Sequence, residues 1–132
     1  MSNDVFVWID QTRGQVDPIA WEALGVGRRV VEGLGGQLVG LVLGEQVDAL
    51  AEGAIQYGAD RVFVADDATL HGFRLEPYAA VITELARANE PAALVMGASH
   101  LGLELSAYVA AKLGVGLAPD CTDLAVENGA LI

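Results

Sequence analysis

Short apolar runs alternate along this chain with longer stretches in which apolar residues recur every three or four positions. Val5 to Ile9 is a continuous run of β-favouring side chains followed by a polar, turn-forming stretch at 10–15, and it reads as a buried first strand. From Pro18 to Leu34 the residues Ile19, Ala23, Val26, Val30 and Leu34 fall on one helical face. Asp17 is placed to cap that helix, Pro18 suits its first position, and Gly35-Gly36 stops it. Leu38 to Leu43 is again continuous, and Val47, Leu50, Ala51, Ala54 and Ile55 share a helical face before Gly58. Val62 to Ala65 gives a third strand, residues 66–69 a polar loop, and Leu75 to Ala88 a helix carrying Tyr78, Ile82, Leu85 and Ala86. Pro91 separates that helix from a fourth strand, Ala93 to Met96. The turn Gly97 to Gly102 then opens a helix through Leu113, with Leu105, Val109 and Leu113 facing inward.

Four strand–helix units in series, with strands apolar on both faces, require a parallel sheet covered by helices on each side. The fold class this predicts is α/β, a three-layer α/β/α arrangement around a mainly parallel, doubly wound sheet. The last segment departs from the rhythm. Asp120 to Glu127 reads as a strand, Asn128-Gly129 as a two-residue hairpin turn, and Ala130 to Ile132 as the start of a second arm. An incomplete C-terminal β-hairpin is expected, making residues 1–132 one domain of a longer protein, with a sheet edge that favours homodimerisation.

Composition narrows the function classes. Of the 132 residues 53% are hydrophobic and 19% charged, which gives one domain a sizeable core and excludes disorder as the main state. Seven Lys and Arg against eighteen Asp and Glu leave a net charge of −11, so nucleic acid and anionic lipid surfaces are repelled. The apolar stretches are too short and too punctuated for a membrane span, and the N-terminus has no basic n-region. Cys121, the single cysteine, has no partner for an internal disulfide, and the expected location is the reducing, cytoplasmic compartment.

Ligands of open parallel sheets bind beyond the carboxyl ends of the strands, which directs attention to Asp10, Gly44, Asp66 and the turn Gly97 to Gly102. Gly97, Ser99 and Gly102 are the candidates should a nucleotide bind, through backbone N–H groups and a hydroxyl at a helix start. The turn matches neither a Walker A loop nor a dinucleotide fingerprint, and Glu104, placed in the first helical turn, would repel a phosphate. A Gly-lined turn with Ser99 as cap is the favoured reading. His100 and His71 lack a Ser-His-Asp or Cys-His grouping, and Asp66 with Asp67 reads as a solvated acidic loop rather than a metal pair. Cys121 reads as an inert buried thiol, and Trp8 and Trp21 as core or domain-contact residues. Asp120 and Asp123, three apart on a strand, point to opposite faces. An enzymatic reading would rest on Asp10, Ser99 and His100 and ranks last; no catalytic or metal-binding residues are assigned.

The stretch from Gly97 to Leu124 reads Gly-Ala-Ser-His-Leu-Gly, then Val-Ala-Ala-Lys-Leu-Gly-Val-Gly-Leu, then Asp-Cys-Thr. It resembles the corresponding stretch of the electron transfer flavoprotein α subunit, in which Gly-Ala-Thr-x-x-Gly-Arg and Val-Ala-Ala-Arg-Leu-Gly-Thr-Gly-Leu precede a strand near Asp-Cys-Thr. Val5-Phe-Val-Trp and Gly58-Ala-Asp-Arg-Val-Phe-Val-Ala-Asp-Asp67 are similar to the same subunit's first strand and its Gly-Ala-Asp-(Lys/Arg)-Val-x-x-Ala-Asp-Asp region. The resemblance implies the N-terminal domain of that subunit, with an adenine-nucleotide-hydrolase-like fold. It implies further that a C-terminal domain absent here carries most FAD contacts, so that no cofactor is expected in these residues. It implies a β subunit as partner, which holds the family's AMP where present. Electrons would come from flavin dehydrogenases of the acyl-CoA dehydrogenase type and pass to a quinone-linked acceptor. Two positions depart from the pattern: Leu103 stands where Arg is common, removing a five-donor fork, and Ala107-Tyr108-Val109 replaces Pro-x-Val. The alternative is a free-standing adenine-nucleotide-binding module resembling universal stress proteins, whose Gly-x-x-Gly-(nine residues)-Gly-Ser/Thr loop this chain lacks.

Overall fold

The computed structural model describes residues 3–12, 15–97 and 99–114, together with the backbone of short strands at 118–119, 123–127 and 130–131. In chain order the elements are β1 (Val5–Trp8), β2 (Gln11–Thr12), β3 (Gln15–Val16), α1 (Ile19–Leu34), β4 (Leu38–Gly44), α2 (Asp48–Gln56), β5 (Arg61–Asp66), α3 (Leu75–Asn89), β6 (Ala93–Gly97), α4 (His100–Leu113), β7 (Ala118–Pro119), β8 (Asp123–Glu127) and β9 (Ala130–Leu131). A 3-10 turn, Ala68–Leu70, lies between β5 and α3.

The strands β5, β4, β1 and β6 pair in parallel in that order, and β8 then continues the sheet antiparallel to β6. Alternation along β1 sorts the two cores: Val5 and Val7 join Ala20, Ala23 and Leu24 of α1 and Ala54 of α2, whereas Phe6 and Trp8 join Tyr78 and Ile82 of α3 and Leu105 and Val109 of α4. Three layers result, as the apolar strands required.

Local chemistry sets the helix ends. Asp17 Oδ1 accepts from the Ile19 N–H at 3.0 Å, with Pro18 beside it in helical conformation. Gly35 closes α1 at φ +78°, its N–H donating to the Val31 carbonyl at 2.8 Å. Inside α1, a Cβ on Gly27 would lie 2.8 Å from side-chain carbons of both Leu38 and Val7, so this glycine lets the helix press onto the sheet.

Several expectations are corrected. Residues 10–15 form more than a turn: β2 and β3 make an antiparallel hairpin, with the Asp17 N–H donating to the Asp10 carbonyl at its base (2.8 Å). Ile55 is exposed rather than inward, because α2 turns only Ala54 fully into the core. The third predicted strand is the sheet edge, and Val64 there is exposed. At the C-terminus β8 starts at Asp123 and pairs antiparallel with β9 over two residues (Val126 to Leu131, Glu127 to Ala130). The turn at 128–129, Asp120 and Cys121 lie outside the described residues, and β7, paired to β8, had no forecast.

Candidate functional site

Strand order reverses direction at β1, with β4 on one side and β6 on the other. The chain leaves β1 towards α1 on one face of the sheet and leaves β6 towards α4 on the other, so the two strand ends part and open a crevice. Its volume is about 360 Å³, and it is lined by Asp10, Gln15, Val16, Asp17, Pro18, Ser99 and Leu101.

Asp10 forms the floor and is only 3% exposed. The Ser99 hydroxyl donates to Asp10 Oδ2, and its oxygen accepts from the Gly102 N–H at 3.0 Å, capping α4. Two predicted site residues, 89 positions apart, therefore meet through one hydrogen bond. Burial pushes the Asp10 carboxyl above the ordinary carboxylate range; the Ser99 hydrogen bond opposes the shift and the Asp17 charge adds to it. Beneath it Tyr78 is 1% exposed and donates to the Leu70 carbonyl at 2.8 Å. Burial first, and then the Asp10 charge, raise that phenol above its usual value.

The glycines of the turn have packing reasons. A Cβ on Gly97 would lie 2.9 Å from Ile19 Cγ2, and one on Gly102 would run into the Gly97 carbonyl oxygen. Glu104 requires correction: α4 begins at His100, so Glu104 falls past the first turn, where the positive end of the helix dipole has faded.

The other candidates do not converge on the crevice. Asp66 accepts from the Gln46 N–H at 2.9 Å, Asp67 caps the 3-10 turn through Thr69, and His71 faces Glu45 at 3.3 Å on the surface. Trp8 is fully buried against Phe73 and Tyr78, and Trp21 stacks on Tyr57 at 4.1 Å. Among the described residues no three His, Cys, Asp or Glu side chains gather as metal ligands. Gln11, which no sequence pattern marked as part of the site, is buried and donates through Nε2 to the Leu43 carbonyl at 2.5 Å, anchoring the β2–β3 hairpin over β4. A Cβ on Gly44 would lie 2.7 Å from that amide, so Gly44 makes room for it.

Comparison with known proteins decides the family, because residues 5–132 match the electron transfer flavoprotein domain model. The chain belongs to the electron transfer flavoprotein family. It is 40% identical over 127 residues to Protein FixB of Azotobacter vinelandii, covering 94% of this chain and 35% of that protein. It is 35% identical over 130 residues to electron transfer flavoprotein subunit alpha of Clostridium acetobutylicum, covering 97% and 39% respectively. With the lactate dehydrogenase (NAD(+),ferredoxin) subunit LctC of Acetobacterium woodii it shares 33% identity over 124 residues, 94% of this chain and 30% of that subunit. The chain thus spans between 30% and 39% of the length of these relatives. Within the electron transfer flavoproteins it is the α-type N-terminal domain that the stretch from Gly97 onward had indicated.

Proposed function

We propose that this chain is the scaffold and subunit-contact domain of an electron transfer flavoprotein α subunit, with FAD housed in the part of the subunit beyond these residues. The observation that carries the reading is the pair of coverages: relatives match 93% to 98% of this chain, while the chain accounts for less than two fifths of each. The partner is a β subunit, and the assembled cytoplasmic heterodimer carries electrons from flavin dehydrogenases of the acyl-CoA dehydrogenase type to a quinone-linked acceptor. In this reading the chain has no catalytic residue of its own.

The crevice chemistry supports a domain that does not take its ligand through phosphates. Ser99 commits both its hydrogen-bonding functions internally, and Asp10 and Asp17 set two carboxylates where a phosphate would enter. That weighs against the adenine-nucleotide module. Mixing the purified chain with FAD, desalting, and recording the visible spectrum tests the proposal. No retained flavin absorbance is expected from the chain alone, with stoichiometric flavin in the full-length α subunit co-expressed with its β subunit. A stoichiometric yellow complex with the chain alone overturns the reading. Millimolar AMP or ATP is expected to leave Tm unchanged, whereas a ligand at a hundredfold excess over its Kd adds about 2.7 kcal/mol.

A further inference from the structure

We infer that the crevice over Asp10 binds a cation carried on a short aliphatic stem, of the guanidinium or primary-ammonium class. The crevice is mixed in character: Val16, Pro18 and Leu101 give it apolar walls, while Asp10, Asp17 and Gln15 supply acceptors. Among the described residues no Lys or Arg lines it. The sign of its field follows from the elements that meet there. Among the described groups, the N-termini of α1 and α4 each bring roughly half a positive charge and the carboxylates of Asp17 and Asp10 each a full negative one, so these groups together sum to about one negative charge. Tyr78, a further titratable group close to Asp10, is neutral and turns its hydroxyl to the Leu70 carbonyl.

Asp10 makes this more than an acidic rim. It is a carboxylate 3% exposed that lines an open crevice, with Oδ2 held by Ser99 and, among the described residues, no basic partner. Burying such a group costs stability unless a charge-assisted partner is supplied. A guanidinium or ammonium entering over the apolar walls supplies that partner, and the walls pack its methylene stem. An anion meets the opposite balance. The inference goes beyond the scaffold reading and does not depend on where FAD binds.

The test is an amide NMR titration of the ¹⁵N-labelled chain with agmatine. Saturable shifts are expected at Gln15, Val16, Asp17, Ser99 and Leu101. Asp10→Asn, which keeps an acceptor for Ser99, is expected to weaken agmatine binding at least tenfold while leaving the remaining spectrum in place, and Asp17→Asn is expected to weaken it less. The same titration on the labelled chain within the full α subunit, bound to its β subunit, separates two sources of the cation. Persisting shifts mark a free small ligand, and their loss marks a basic side chain of the partner already seated. Shifts in the free chain that fail to saturate, an Asp10→Asn variant that binds agmatine as well as the parent, or AMP producing the same saturable shifts would each overturn the inference.

Discussion

The Ser99 hydroxyl serves two partners at once, capping α4 through the Gly102 N–H and holding the Asp10 carboxylate. Ser99→Ala removes both. The lost cap costs about 1 kcal/mol, and the buried carboxylate deprived of its donor costs about 1.5–3 more. Urea unfolding should show a loss near the sum, with Ser99→Thr recovering most of it; a loss under about 1 kcal/mol leaves only the cap. Asp10 has the opposite effect. Its carboxyl holds a proton more readily in the folded than in the unfolded chain, so the folded state binds more protons and stability falls as pH rises from 3.8 through the raised folded value. The cost is present at pH 7 and absent well below 3.8. Asp10→Asn, which removes that titration, should therefore raise Tm at pH 7. That advantage should shrink when the scans are repeated below pH 3.8. Ser99 as a cap was legible in the chain, since a Ser preceding an apolar-periodic run signals a helix start. Its bond to Asp10 was not, because no local pattern joins residues 89 positions apart.

Within the elements, glycine separates packing from propensity. Gly25, Gly27 and Gly33 all lie in α1, yet only Gly27 has neighbours that a Cβ would crowd. Gly25→Ala and Gly33→Ala should each stabilise by about 0.5–1 kcal/mol through helix propensity. Gly27→Ala should instead destabilise by about 1–3 kcal/mol, because Leu38 and Val7 are fully buried and must repack. Thermal melts of the three variants check this; a stabilising Gly27→Ala would mean that α1 stands off the sheet. Gln46 offers a second contrast, since it holds φ +57° with its N–H fixed by Asp66. Gln46→Gly should gain on the order of 0.5 kcal/mol in chemical unfolding, as relief of the left-handed conformation outweighs glycine's entropy. Strands and helices with strong periodicity were readable from the chain, caps included. The β2–β3 hairpin was not, because two-residue strands carry no alternation, and what secures them is the distant pairing of Gln11 with the Leu43 carbonyl. The outward turn of Ile55 was equally hidden, since spacing assigns a face to α2 but does not say how much of that face the sheet covers.

For the whole molecule, strand–helix alternation forecast the class but not the strand order. Local patterns make β5 look as buried as β1; only the order β5-β4-β1-β6 puts it at an edge, and only that order makes the end of β1 a crevice. The net charge, in contrast, was known from composition alone and has a consequence at this scale. At −11 the folded chain gathers repulsion that unfolding dilutes. The ion pair that opposes it among the described residues, Arg28 with Asp60 at 3.1 Å, is partly exposed and contributes little. Raising salt from about 0.01 to 0.15 M shortens the screening length from about 30 to about 8 Å, which weakens long-range repulsion more than contacts at 3–4 Å. Tm at pH 7 should therefore rise by about 3–6 °C over that range, with sodium chloride and potassium chloride equivalent. A Tm that stays flat or falls would mean that the local pairs outweigh the summed charge. The Asp10→Asn and Asp17→Asn variants should each show a smaller salt response than the parent, because both remove charge from the crowded end of the sheet where α1 and α4 begin.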